Sequence, residues 1–364
     1  MNNIDLIKKS GLFDENYYLE IYPDVKEYLE KHHGVPNDII AHYLKYGANE
    51  LRNPSEKFNT RYYLETYPDV VRSRINPLIH YILYGYKEDR RPCKPKYFLT
   101  MATCIKNEEK YLDEWLSYHI YQGVEHFYLN NDNSTDRTKE VLLPYIKKGY
   151  VTLYENLREK GIAQNEFYYL IIDEKRNEAE WCCFFDADEF YQGNMKLNEF
   201  LESLDNDTSG VELFWKIYGS AGLKTYDKRF VIERFNTHRT IQWQPNDFIK
   251  SICRLKNTKP TESVHIFHYN RGKVINALRE DISQIPEHER VYSLPLIWEN
   301  AWLNHYFFKS REEYLKKVKR GNANNDEPRA DTFYDGGDRN DVIDDSMKQY
   351  VAIIKSIIEK IRDE

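Results

Sequence analysis

The chain has 364 residues, which at about 150 per domain predicts two or three domains with a sizeable core and no need of a disulfide or metal staple. Its 52 Lys and Arg against 59 Asp and Glu leave a net charge of −7 with no basic stripe, which excludes the electrostatic footprint of a nucleic-acid binder. Hydrophobic residues make up 41%, yet no run approaches the roughly 20 apolar residues of a bilayer span, and the opening MNNIDLIKKS lacks a signal peptide's apolar stretch; a cytoplasmic protein is expected.

Residues 1–93 read as an all-α repeat module in two copies, about 12–55 and 57–93. Phe13–Val25 recurs as Phe58–Val70 and His42–Pro54 as His80–Pro92, so the first copy carries an insertion near 26–38. Each copy predicts a helical hairpin, its first helix stopped at Pro-Asp and its second ended by a glycine cap at Gly47 or Gly85. Docking or oligomerisation and a plain helical appendage both fit this module, and His42 and His80 read as structural. Lys94–Lys96 follows as a linker.

The pattern then changes. Tyr97–Ile105 predicts a strand, 109–122 a helix, His126–Leu129 a strand, Thr135–Lys148 a helix, Tyr150–Tyr154 a strand, Ala163–Arg176 a helix and Trp181–Phe185 a strand. The alternation predicts an α/β, Rossmann-like, mostly parallel sheet with helices on both faces and a ligand beyond the carboxyl ends of the strands. Five cysteines, Cys93, Cys104, Cys182, Cys183 and Cys253, are an odd number without Cys-x-x-Cys spacing and read as reduced thiols. Gly321–Asp341, rich in Asn, Asp and Gly, predicts a flexible loop, and Asp344–Ile361 a terminal helix; the boundaries expected are 96–321 for the α/β domain and 322–364 for loop and helix.

Polar clusters follow three strands: Lys106-Asn107-Glu108, the run Asn130–Asp136, and Asp186-Ala187-Asp188-Glu189. Any one of them is an ordinary cap or solvated turn, but three at successive strand ends predict a site. On an extended segment Asp186 and Asp188 share a face about 7 Å apart, which suits one hard cation completed by water and phosphate oxygens. A calcium loop fails, because its register requires glycine at Tyr191 or at Arg137.

The stretches at 104–138, 181–190, 215–222, 233–235, 250–254 and 303–321 resemble glycosyltransferases of the GT-A fold, those of family 92 and family 2-like bacterial enzymes. Residues 1–93 resemble modules attached to bacterial polysaccharide glycosyltransferases. The resemblance implies inverting transfer of a sugar from a nucleotide-diphosphate donor, a UDP-sugar, to a hydroxyl of a glycan or lipid-linked glycan in surface polysaccharide or glycoconjugate synthesis. With no span found, the expected place is the cytoplasm, peripherally at the inner membrane face.

Residue by residue, the resemblance makes Asp188 the direct metal ligand, Asp186 a contact to ribose or a metal-bound water, and His305 a further metal or phosphate ligand for Mn2+ or Mg2+. Asn107, Glu108, Asn131 and Asp132 match the nucleotide pocket, Gln164 a polar position near the donor, and Lys250 a diphosphate contact that Arg254 could share. Trp215, Tyr218 and the turn 219–222 are expected to floor the sugar site. For the catalytic base, Asp247 ranks first, with Glu233, Glu189 and His265 as further candidates. A carbohydrate- or partner-binding scaffold that keeps the fold without turnover is the rival class.

Overall fold

In the computed structural model the described residues are all but 1, 32–37, 158, 160, 243–247, 260–262, 287–288, 291–294, 322–331 and 364, and they divide between Lys96 and Tyr97 into two units. In the first unit each repeat builds three short helices rather than a hairpin: Glu15–Ile21, Pro23–Lys31 and Asp38–His42, then Thr60–Thr66, Pro68–Ser73 and Pro77–His80. Pro23 and Pro68 open the second helix instead of stopping the first, because a first-turn residue has no helical N–H partner to lose. Asp14 and Asn59 cap the first helix of each copy by accepting from Tyr17 N at 3.0 Å and Tyr62 N at 2.8 Å.

The third helix of each copy runs into one π turn, Tyr43–Gly47 and Tyr81–Gly85. Neither glycine is a left-handed cap; a side chain there would occupy the place of the Tyr18 or Tyr63 hydroxyl. Those hydroxyls meet His42 Nδ1 at 3.3 Å and His80 Nδ1 at 3.0 Å, so both histidines serve the packing. Arg52 forks onto Asp24 at 2.9 and 2.7 Å, and Arg90 onto Asp69 at 2.9 and 2.8 Å.

The second unit is built on a nine-stranded sheet. Its strands are β1 Tyr97–Ile105, β2 His126–Asn131, β3 Val151–Glu155, β4 Ala179–Cys183, β5 Glu189–Gly193, β6 Thr208–Ile217, β7 Ile249–Arg254, β8 Lys273–Ile275 and β9 Ala301–His305. They lie in the order β3-β2-β1-β4-β7-β6-β9-β5, with β8 also on β6. β1 runs parallel to β2 and β4, and β2 to β3, joined through helices α1 Leu112–Tyr121, α2 Thr138–Lys147 and α3 Gln164–Lys175. The runs of β1 bury both faces: Leu99 and Met101 enter one core while Ala102 enters the other. This is the mixed α/β layering expected of a Rossmann-like, GT-A-type sheet.

β7 departs from the expected alternation, lying antiparallel between β4 and β6. Its start therefore sits at the edge where β4 ends, and β6 and β9, parallel to each other, bring their carboxyl ends to the same edge. Residues beyond the predicted 321 boundary belong to this unit. Helix α4 (Arg311–Arg320) precedes the undescribed 322–331, on which much of the predicted flexible loop falls; Thr332–Gly337 is helical, and Val342–Ile343 pairs with Thr237–His238. Helix α5 (Val351–Arg362) places Ile354 and Ile361 in the main core. The five cysteines are free thiols, and among the described residues no helix is long and apolar enough to cross a membrane.

Candidate active site

The common edge collects two linked clusters. The first forms where β4 ends in a turn: Asp186 Oδ2 lies 3.0 Å from Lys250 Nζ at the start of β7, and its Oδ1 accepts from Gln164 Nε2 at 3.2 Å. Glu189 closes the turn by accepting from Asp186 N at 2.9 Å, and its other oxygen lies 3.9 Å from Lys250 Nζ. Burial works to raise the Asp186 carboxyl, yet the Lys250 ammonium holds it below its ordinary range. Burial prevails at Glu189 and lifts it well above that range. Lys250 is wholly buried and spends its charge on these carboxylates, which corrects the expected diphosphate contact: it fixes Asp186 instead.

The second cluster centres on Asp188, where His305 Nε2 at the end of β9 lies 3.4 Å from Oδ1 and Lys317 Nζ from α4 lies 2.5 Å from Oδ2. Burial opposes the charge of Asp188, but Lys317 and His305 hold its carboxyl well below the usual range. A six-coordinate Mn2+ or Mg2+ with bonds of about 2.1 Å needs adjacent donors about 3 Å apart, so this oxygen and nitrogen fit such an ion. His305 Nδ1 is buried without a hydrogen-bond partner among the described residues, leaving Nε2 as the polar end that faces a carboxylate. No group of three His, Cys, Asp or Glu side chains suited to a metal occurs among the described residues, so the remaining ligands would come from water and substrate.

Aromatic rings wall the same edge. Trp215 lies 4.2 Å, centroid to centroid, from His305 and stacks on Phe248 at 5.3 Å. His265 sits 5.5 Å from Trp215 and makes a 2.9 Å contact from Nδ1 to Ile249 O; burial lowers it to about 4, so it is neutral near pH 7. Tyr218 and Ser220 depart from the expected floor: Tyr218 is fully buried and donates to Asp344 at 2.9 Å, and Ser220 donates to Asp338 at 2.6 Å.

The nucleotide residues divide. Asn107 (φ 55°) accepts from Thr135 N at 2.7 Å, and Asn131 accepts from Ser134 N at 3.2 Å, so both amide oxygens brace the loops after β1 and β2. Glu108 is ion-paired with Arg320 of α4. Asp132 is buried with Lys106 Nζ 3.8 Å away. Glu233 is corrected as a base, because its carboxylate accepts from Phe230 N at 3.0 Å and caps its own short helix. Asp247 lies outside the described residues. Arg254 is paired with Glu180.

Sequence reasoning missed Lys309 and Lys317, which line a cavity of about 310 Å³ between residues 107–111 and α4, beside Asp188. Their signal was the KSREEYLKKVKR run, whose helical spacing turns Glu313 and Lys317 to one face.

A model of glycosyltransferase family 92 matches residues 97–330. A family 92 protein of Ricinus communis is 28% identical over 214 residues, 52% of this chain and 35% of its own length. One of Arabidopsis thaliana is 24% identical over 272 residues, 68% of this chain and 43% of its own length. The chain spans less than half the length of these curated relatives. The crystal structure of S. aureus TarS 1–349 in complex with UDP aligns at 18% identity over 43% of this chain and 47% of that chain, with a TM-score of 0.29, too slight a likeness to carry an argument.

Proposed function

Because the chain belongs to glycosyltransferase family 92, we propose that its α/β unit transfers a sugar from a UDP-sugar to a hydroxyl of a glycan or lipid-linked glycan, with inversion and with Mn2+ or Mg2+ bound by Asp188 and His305. The ion, when bound, supplies Lewis-acid compensation of the charge growing on the departing diphosphate. Asp186, held by Lys250 and Gln164 with its side chain one third exposed, is oriented to accept from a ribose hydroxyl. Asp132 accepts from the polar edge of uracil. Trp215 and Phe248 present ring faces to the C–H surface of the transferred sugar. Asp247, immediately before Phe248, is the proposed base that takes the acceptor proton. The proposed place of work is the cytoplasmic side of a membrane carrying the acceptor.

The observation that carries this reading is the convergence of Asp188 Oδ1 and His305 Nε2 at the edge where β4, β6 and β9 end. The test measures UDP release from a panel of UDP-sugars in Mn2+. Asp188→Asn is expected to lower turnover at least about 100-fold, and EDTA to abolish it. Turnover that survives both treatments refutes the metal assignment, and a folded protein that binds glycan but never releases UDP is the scaffold instead.

A further inference from the structure

Lys309 is a buried lysine that makes no direct ion pair among the described residues, although its charge reaches the carboxylates of Asp188 and Glu114. The residue is 6% exposed, has φ 51°, and holds its ammonium 4.1 Å from the ring centre of Tyr111. A buried ammonium without a direct ion pair is costly, and the ring face and the more distant carboxylates compensate only part of that cost. The cavity it lines is open to a ligand; of its other charges Arg320 pairs with Glu108, Glu313 with Arg234 at 2.9 Å and Lys316 with Glu312 at 2.6 Å, while Lys110 lies over the Tyr226 ring at 3.7 Å. Lys317 lines the same cavity from α4, its ammonium 4.0 Å from the Phe307 ring centre and in contact with Asp188.

We infer that this cavity is a diphosphate pocket in which Lys309 is the standing cation and Lys317 changes partner, moving from Asp188 to a phosphate oxygen when a divalent cation takes that carboxylate. The exchange of partners rests on the proposed metal-dependent reading; the affinity of the cavity for phosphate does not. A divalent cation at Asp188 and His305 repels Lys317, and a diphosphate in the cavity attracts it, so each ligand removes a cost from the binding of the other. Without phosphate, Lys317 competes for Asp188; if the pair is formed about nine-tenths of the time, the affinity for metal alone falls about tenfold.

The test is calorimetric titration of the full chain with inorganic pyrophosphate and with MnCl2. Lys309→Met, which keeps the aliphatic stem on Tyr111, is expected to weaken metal-free pyrophosphate binding at least about tenfold, while Lys309→Arg stays within about threefold of the wild type. Lys317→Met is expected to bind Mn2+ alone about tenfold more tightly and to lose the mutual enhancement between Mn2+ and pyrophosphate. Wild-type pyrophosphate affinity in Lys309→Met overturns the pocket, and unchanged Mn2+ affinity in Lys317→Met overturns the exchange. Should Lys309→Met fail to fold, pyrophosphate must shield Lys309 of the wild type from amine acylation read by mass spectrometry; unshielded labelling overturns the pocket. UDP must compete with pyrophosphate, and failure to compete removes the donor as the source of the diphosphate. If the titrations behave as stated but no UDP-sugar is turned over, the proposed function falls and the pocket stands.

Discussion

Glu114 of α1 offers a measurement of burial that is independent of any substrate. It is 2% exposed and accepts from Val231 N at 2.7 Å and Ile232 N at 3.0 Å, heading the short helix 231–234. Burial outweighs those donors and the charges of Arg234 and Lys309, lifting Glu114 from its ordinary 4.5 to about 7. Between those values the folded protein holds a proton that the unfolded chain has released. Its stabilising contribution is therefore complete below about pH 4.5 and is lost as the pH rises through about 7. Glu114→Gln removes the titration, so the stability difference between variant and wild type should shift in the variant's favour by about 2–3 kcal/mol from pH 5 to pH 8. For a domain of this size that is about 5 °C in the gap between thermal midpoints, read by near-UV circular dichroism at both pH values. Any other group that titrates cancels in the difference. A gap that stays level to about 1 °C over that range refutes the account of Glu114 as a carboxyl held neutral by its surroundings.

Two further substitutions address the packing. Gly85→Ala puts a methyl group on the Tyr63 hydroxyl and should destabilise the first unit by about 2 kcal/mol in urea titration; adding Tyr63→Phe should return part of the loss, and strictly additive effects would contradict the contact. Lys250→Met leaves Asp186 and Glu189 without their buried counter-charge and should cost about 3–5 kcal/mol, whereas a variant as stable as the wild type would show that the cluster is not held by that ammonium.

Much of the first half of the α/β unit was legible because local and global signals agree there. β1 occupies the predicted Tyr97–Ile105, an apolar β-rich run buried on both faces, and α3 begins one residue inside its predicted start. The polar clusters were legible because a parallel sheet leaves strand ends as the place where such residues gather. What stayed hidden depends on distant pairing. Nothing local in Ile249–Arg254 announces that it inserts antiparallel beside β4, and only that insertion turns Lys250 from a free cation into the anchor of Asp186. Lys317 is 129 positions from Asp188, and its spacing says which helix face it shares but not what the face meets. Glu233 was misread although its capping pattern is local: an acid at the third helical position is a signature that should have outranked the search for a base. The proline and glycine errors in the repeats share one cause, since both residues have more than one use at a helix boundary.

The ring of Trp215 beside the imidazole of His305 gives the molecule an internal optical reporter. Among the described residues this is the indole that packs on the histidine proposed to ligate metal, so a paramagnetic ion there should dim its emission at sub-stoichiometric filling, long before product accumulates. A version retaining Trp215 alone would let filling be followed in real time, and the order of arrival of ion and nucleotide could be read from the light rather than from chemistry.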